Sequence, residues 1–246
     1  MSLVDVYRHT TQLCENLSRE GLLSQPRSII YTSLDPKYVI IGKEIEPTKV
    51  SVLNKDTLEA AEELVKKGYK PLVLNMASNI CPGGGVAKGA KAQEEDLFRR
   101  TDYYRHLSAY YYPLHPTDAI LSPDVTVIKN IEYKNQKPYF KIDCLAVAGL
   151  RNPKLIRNKF KPEDEQLLRH KIRQIYQIAD QHNYESLVLG ALGCGAFNNP
   201  PQEVAQIFKE ELENYKYCFK EIVFAVLCTR DLHNYEIFSQ MFTIKP

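Results

Sequence analysis

Strands alternating with helices along the chain predict an α/β fold, a three-layer α/β/α sandwich around a mixed, largely parallel central sheet. Three observations carry this prediction. Short apolar runs recur between segments with helical spacing. Two of those runs lead into glycine-dense loops that are followed in turn by helical patterns. No Pro-, Ser- or Gly-rich linker divides the 246 residues, a length near the upper end for one core, so a single domain over 1–246 is expected.

Val4 to Gly21 reads as a helix, and β-leaning runs follow at Ser28–Thr32, Tyr38–Ile41 and Lys49–Leu53. From Lys55 to Lys67, residues Leu58, Ala61, Glu62 and Val65 recur at turn spacing, and Gly68 supplies the stop of a helix. The run Lys70 to Ala77, bounded by Gly68 and by Asn79 and Pro82, predicts a short buried strand. A helix is expected from about Glu94 to Leu107, then a tyrosine-rich connector through Pro116. Val125–Ile128 and Lys141–Ala148 read as strands, Pro162–His182 as a helix and Ser186–Leu189 as a buried strand. Gln202–Tyr215 places Val204, Ala205, Ile207, Phe208 and Leu212 at helical spacing, and Glu221–Leu227 reads as the last strand.

Composition narrows the function classes. Apolar residues at 44% and charged residues at 25% are ordinary for a soluble globule. A formal net charge of +2 announces no large basic footprint, so sequence-specific nucleic-acid binding is not expected. No apolar run approaches a membrane span and the N-terminus lacks the apolar core of a signal peptide, so a cytoplasmic protein without membrane attachment is expected. The six cysteines are scattered, with no C-x-x-C spacing and no clustering with histidine. Cys144 and Cys228 lie in apolar runs as core residues, and Cys81 and Cys194 flank the two glycine loops without a neighbouring histidine to activate them. Neither a metal nor a cofactor is implied.

The most informative segment is Gly83-Gly84-Gly85-Val86-Ala87-Lys88-Gly89-Ala90-Lys91-Ala92-Gln93-Glu94-Glu95. Consecutive glycines let a backbone press its N–H groups against a ligand, and a following helix N-terminus adds oriented donors suited to phosphate oxygens. Two carboxylates then stand side by side where helical spacing begins. Neither G-x-G-x-x-G nor a Walker loop is present. The second loop, Leu189 to Pro200, contains Gly190, Gly193 and Gly195 between a strand and a helix start. Ligands of open α/β sheets bind beyond the carboxyl ends of strands, so two such loops can close on one diphosphate.

Pro82 to Glu95, three glycines followed after seven residues by Gln-Glu-Glu, resembles the signature of the poly(ADP-ribose) glycohydrolases. The strand ending in Asn75-Met76-Ala77-Ser78 and the loop Leu189 to Pro200 are similar to those of the family's microbial branch, and the match extends loosely from about Arg8 to Phe242. The resemblance implies a macrodomain-like fold with an N-terminal helical extension, residues 1–48, packed on it. It implies ADP-ribose and poly(ADP-ribose) as ligands, with ADP-ribosylated proteins as substrate carriers. It gives the last Glu of the motif, Glu95, the acid/base role, with Glu94 and Asn79 holding the terminal ribose. Gly83, Gly84, Gly85, Val86 and Gln93 of the first loop, and Gly193, Cys194, Gly195, Ala196, Phe197 and Asn198 of the second, complete the substrate-binding set it implies.

Breaking an ADP-ribosyl bond passes through an oxocarbenium-like transition state and needs a proton on the departing ribose oxygen. On a helix, Glu94 and Glu95 point about 100° apart, so they cannot flank one bond from opposite faces. One carboxyl therefore serves as acid and then as base for water, while the other orients ribose hydroxyls. A helix N-terminus favours carboxylate, against what an acid needs; bound pyrophosphate, the adjacent acid and desolvation push the other way. Phe197 either covers the ribose or plugs its loop into the core, and Asn198 and Asn199 either meet phosphate or take turn conformations. Tyr103, Tyr104, Tyr110, Tyr111 and Tyr112 offer either an adenine-stacking face or packing, and Arg230-Asp231 is a candidate region beyond the last strand. Hydrolysis of poly(ADP-ribose) is the reading favoured; hydrolysis of mono-ADP-ribosylated protein or nucleic acid, and non-catalytic ADP-ribose binding, are the alternatives.

Overall fold

The computed structural model describes residues 1–35, 38, 47–215, 217, 219–228 and 233–243. Its elements are α1 (Leu3–Arg19), β1 (Ile29–Tyr31), β2 (Lys49–Leu53), α2 (Thr57–Lys66), β3 (Pro71–Met76), α3 (Gln93–Arg100), β4 (Ala119–Lys129), β5 (Asn135–Val147), α4 (Pro162–Gln181), β6 (Ser186–Leu189), α5 (Pro201–Asn214), β7 (Glu221–Ala225) and α6 (His233–Phe242). Seven strands form one sheet in the order β1-β4-β5-β3-β6-β7-β2. The pairs β5–β3, β3–β6, β6–β7 and β7–β2 are parallel, and β4 runs antiparallel to both β5 and β1. The sheet is thus mixed and largely parallel, as the alternation of elements predicts.

Alternation along β3 sorts the layers. Leu72 and Leu74 face a core built with α4, α5 and α6 through Ile172, Ile175, Phe208 and Phe238. Val73 faces the opposite core, where Leu58, Ala61 and Leu64 of α2 meet Leu97 and Phe98 of α3. Both faces of the central strands are covered, which is why those strands are continuously apolar. Helix α1 closes a third cluster with Cys14 and Leu17 against Ile128 of β4. Its start is fixed by a capping box between Ser2 and Asp5, while Asp56 caps α2 by accepting from the Leu58 and Glu59 N–H groups.

Four differences from the sequence reading have physical causes. The helix expected to reach Leu107 stops at Arg100, because Thr101 leaves with extended backbone to bridge Val127 and the Asp102 N–H is taken by the Thr126 carbonyl. β4 begins at Ala119, well before Val125; Pro123 and a left-handed Asp124 sit at a register shift that interrupts its apolar pattern. β5 begins at Asn135, where mostly exposed polar residues extend a hairpin with β4. Helix α6 packs Phe238 into the core although nothing in its short, mixed pattern singled it out. Of the expected strand at Tyr38–Ile41, residues 39–41 lie outside the described residues.

Candidate active site

Gln93 is what seats α3 at the end of β3. Its Nε2 donates to the Leu74 carbonyl at 2.8 Å and its Oε1 accepts from the Met76 N–H at 3.0 Å, so the side chain continues the sheet's hydrogen bonding beyond the strand. That clip places Glu94 and Glu95 in the first turn of α3, directly over the strand end. Gln93 lines the cleft, but its amide is engaged with β3, which makes it a positioning residue.

The two carboxyls differ in their environments. Glu94 is 3% exposed; its Oε1 accepts from the Gly83 N–H and Asn75 Nδ2, and its Oε2 from the Ser78 N–H at 2.7 Å. Burial pushes its carboxyl up to about 7, against the pull of those three donors. Burial therefore outweighs the helix N-terminus at this position. Glu95 Oε1 accepts from the Gly85 N–H at 2.8 Å, whereas its Oε2 is buried with no hydrogen-bond partner in the protein. Asn79 Oδ1 is likewise buried and unpartnered, although its carbonyl accepts from the Leu114 N–H. Gly84 packs against both acids. At φ +52°, a Cβ there would lie 2.6 Å from Glu95 Oε1 and 3.1 Å from Glu94 Oε2, so only glycine lets this backbone approach them.

The second loop is held by Asn199, which is buried and donates from Nδ2 to the carbonyls of Leu150, Gly193 and Phe197. It lies backbone to backbone on the chain leaving β5: a Cβ on Gly149 would sit 2.8 Å from Gly193 Cα. Asn198 adopts a left-handed turn and donates to Asn152 Oδ1, the conformational role rather than a wall of the cleft. The Cys194 thiol donates to the Leu192 carbonyl, and burial holds it well above the usual thiol range, so it is no nucleophile.

A cleft of about 500 Å³ opens above the carboxyl ends of the parallel strands. Gln93, Glu94, Glu95, Gly193, Gly195, Ala196 and Phe197 line it together. Gly83, Gly84 and Gly85 stand behind the carboxylates, and Val86 is a core residue. Asn79, Cys194 and Asn198 lie outside the cleft wall. None of the five tyrosines lines it: Tyr103 is fully buried beside Asn75, and Tyr110 is 90% exposed. Arg230 and Asp231 lie outside the described residues. Among the described residues, no group of three or more His, Cys, Asp or Glu side chains is arranged to hold a metal ion.

Several wall residues have no counterpart in the sequence reading. Asp56, the N-cap of α2, shares the buried Arg100 guanidinium with Asp96, at 2.7 and 2.9 Å. Tyr133, from the turn joining β4 to β5, donates to Asp96 at 2.8 Å and brings Ile131 to the cleft. Nothing local in sequence links that turn to α3. Leu227 and Asn234 complete the far wall.

A seven-stranded mixed sheet whose two glycine-dense loops close over one cleft defines a macrodomain-type protein. A family model of the macro domain matches residues 147–208, and one described as microbial-type PARG, catalytic domain, matches residues 14–130. Over residues 14–130 the chain is thus similar to the microbial-type poly(ADP-ribose) glycohydrolases, and the solved structures it resembles carry the same description. The crystal structure of poly(ADP-ribose) glycohydrolase from Thermomonospora curvata is 27% identical, with 87% of this chain and 85% of that chain covered and a TM-score of 0.78. A mutant of that protein is 25% identical over 98% and 99% of the two chains, with a TM-score of 0.80. The Deinococcus radiodurans enzyme in complex with ADP-ribose is 29% identical over 79% and 84%, with a TM-score of 0.70. No curated protein matches.

Proposed function

We propose that this chain is a poly(ADP-ribose) glycohydrolase that cleaves ribose–ribose glycosidic bonds and releases ADP-ribose, with Glu95 as general acid and then general base. One observation carries the assignment of Glu95, a residue lining the cleft: one of its oxygens is fixed by the Gly85 N–H while the other is buried with no partner in the protein. A carboxyl held at one end and free at the other is suited to hand a proton to the departing ribose oxygen and to take one from water. Relatives solved with ADP-ribose and with the inhibitor ADP-HPD support the ligand class.

Glu94 orients the terminal ribose. A carboxylate offers about four acceptor sites, and three N–H donors leave one for a hydroxyl. Phe197, which lines the cleft, covers the same ribose. The backbone of Gly193 to Ala196 lies along the diphosphate. ADP-ribosylated proteins are the carriers of the substrate. The whole chain acts as one catalytic unit, with residues 1–48 as an extension packed on it; Thr10 and Leu3 of α1 already bond to Arg99 of α3. A cytoplasmic location fits the five described cysteines, all free. No helix among the described residues is long and apolar enough to cross a membrane.

Incubation of wild type and Glu95→Gln with automodified poly(ADP-ribose) tests the proposal. Wild type is expected to release ADP-ribose, and the variant to lose about 10²–10⁴-fold in rate while still binding ADP-ribose. Binding without release by either protein would assign the chain to ADP-ribose recognition or to a mono-ADP-ribosyl linkage. Full release by the variant would remove Glu95 from the acid/base role.

A further inference from the structure

The chain leaving β5 crosses from the cleft to α4 through Leu150–Lys161, and this segment carries Arg151, Lys154, Arg157, Lys159 and Lys161 with no acidic residue. The first four are exposed, and among the described residues no acid lies within ion-pair distance of any of the five. A protein with a formal net charge of +2 thus concentrates in one short loop five cations that have no acidic partner among the described residues. The nearest acids in sequence, Glu163, Asp164 and Glu165, belong to the first turn of α4, where Glu165 pairs with Arg169.

The loop is tied to the ligand site. The Asn152 N–H donates to the Phe197 carbonyl at 2.9 Å, Asn198 donates to Asn152, and Gly149, at the loop's root, lines the cleft. Its outer end is shaped as well: Ile156 and Lys159 bridge each other, with Arg157 and Asn158 in left-handed conformations between them, while Phe160 is buried. From Leu150 to that turn the backbone reaches at most about 20 Å. The loop thus leaves the cleft along the outer side of the Gly193–Asn199 loop.

We infer that this loop is a track for the anionic polymer, holding pyrophosphates of ADP-ribose units beyond the one seated in the cleft; the inference rests on the glycohydrolase reading. Unpaired cations spaced along a fixed loop bind phosphates by counterion release. Continuity with Phe197 favours a chain already anchored in the cleft. The loop's single aromatic, Phe160, is buried, which leaves no stacking platform for free nucleic-acid bases. The track gives preference for long chains over single units.

The test uses Glu95→Gln protein, which holds polymer without cutting it, with and without Lys154→Gln, Arg157→Gln and Lys159→Gln. Affinities for long-chain poly(ADP-ribose) and for ADP-ribose are measured across a salt series. Losing three phosphate contacts lowers the slope of log K against log salt by about 2, so between 50 and 200 mM salt the parent should weaken about 20-fold more than the triple variant. ADP-ribose affinity should stay unchanged, and the charge-keeping set Lys154→Arg, Arg157→Lys, Lys159→Arg should retain the parent's slope. Equal slopes for parent and triple variant, or equal loss of ADP-ribose binding, would overturn the inference. So would single-stranded RNA binding as tightly as polymer and weakening equally in the triple variant. If the parent binds neither polymer nor ADP-ribose while wild type also fails to hydrolyse, the reading of the cleft itself fails and the track falls with it.

Discussion

Gly84→Ala separates the placement of Glu95 from the stability of the loop that carries it. Two costs can be worked from the structure. The φ of +52° charges an alanine about 1–2 kcal/mol for left-handed backbone. The new methyl would lie 2.6 Å from Glu95 Oε1, so that oxygen must retreat by roughly 0.9 Å to reach van der Waals distance, loosening its bond to the Gly85 N–H. A displacement near 1 Å costs about 100-fold in rate. The melting temperature should fall by about 2–4 °C for each kcal/mol lost. Gly68→Ala is the control: its φ is +88° with nothing within 4 Å of the added Cβ, so it should lose comparable stability and keep full activity. Rates of ADP-ribose release, with thermal unfolding of both variants, decide the matter. If Gly84→Ala works within a few-fold of wild type, or Gly68→Ala loses as much activity, contact between Gly84 and the carboxylate is not what positions Glu95.

Three other perturbations reach different parts of the site. Because Glu94 sits near 7 when folded and near 4.5 in its ordinary state, the folded protein holds a proton across that window that the unfolded chain has released. Stability should therefore fall by up to about 3 kcal/mol as pH rises between those values and flatten above them; Glu94→Gln should lose this component, measured as the difference between the two proteins' unfolding curves against pH. Asn199→Ala removes one donor from each of three carbonyls, Gly193 and Phe197 keeping backbone donors, and should cost about 1–3 kcal/mol, with KM raised more than kcat is lowered as the second loop loosens. Arg100→Ala leaves Asp56 and Asp96 without their buried cation and should cost about 3–5 kcal/mol in chemical denaturation.

The parallel part of the fold was legible in the sequence because it is buried on both faces. Leu72, Val73 and Leu74 form an uninterrupted apolar run, and so do Ser186–Leu189 and Glu221–Ala225 apart from their leading polar residues. The β4–β5 hairpin was half hidden, since Asn135–Lys141 is largely exposed and lacks a regular apolar alternation, and a register shift at Pro123-Asp124 breaks the alternation of β4. In the site, local order in sequence found what α3 and the glycine loops contribute. It could not find Tyr133, whose partner Asp96 lies 37 residues away, nor show that Gln93 and Asn199 face backbone carbonyls rather than ligand. Those roles depend on which carbonyls remain unpaired once the strands have met.

Arg99 is fully buried, donates from Nε to the Leu3 carbonyl at 3.3 Å, and donates from Nη2 to the Ala90 carbonyl of the glycine loop. One guanidinium therefore fastens the first turn of the N-terminal helix to the segment that precedes Glu94 and Glu95. The start of α1 is a hinge pin of the loop, not an appendage. A fusion or affinity handle joined directly ahead of Leu3 pulls on the loop that seats Glu95, whereas the same handle after α6 acts on the opposite flank of the sheet. Where a handle is attached thus becomes a variable in any rate measured on this enzyme.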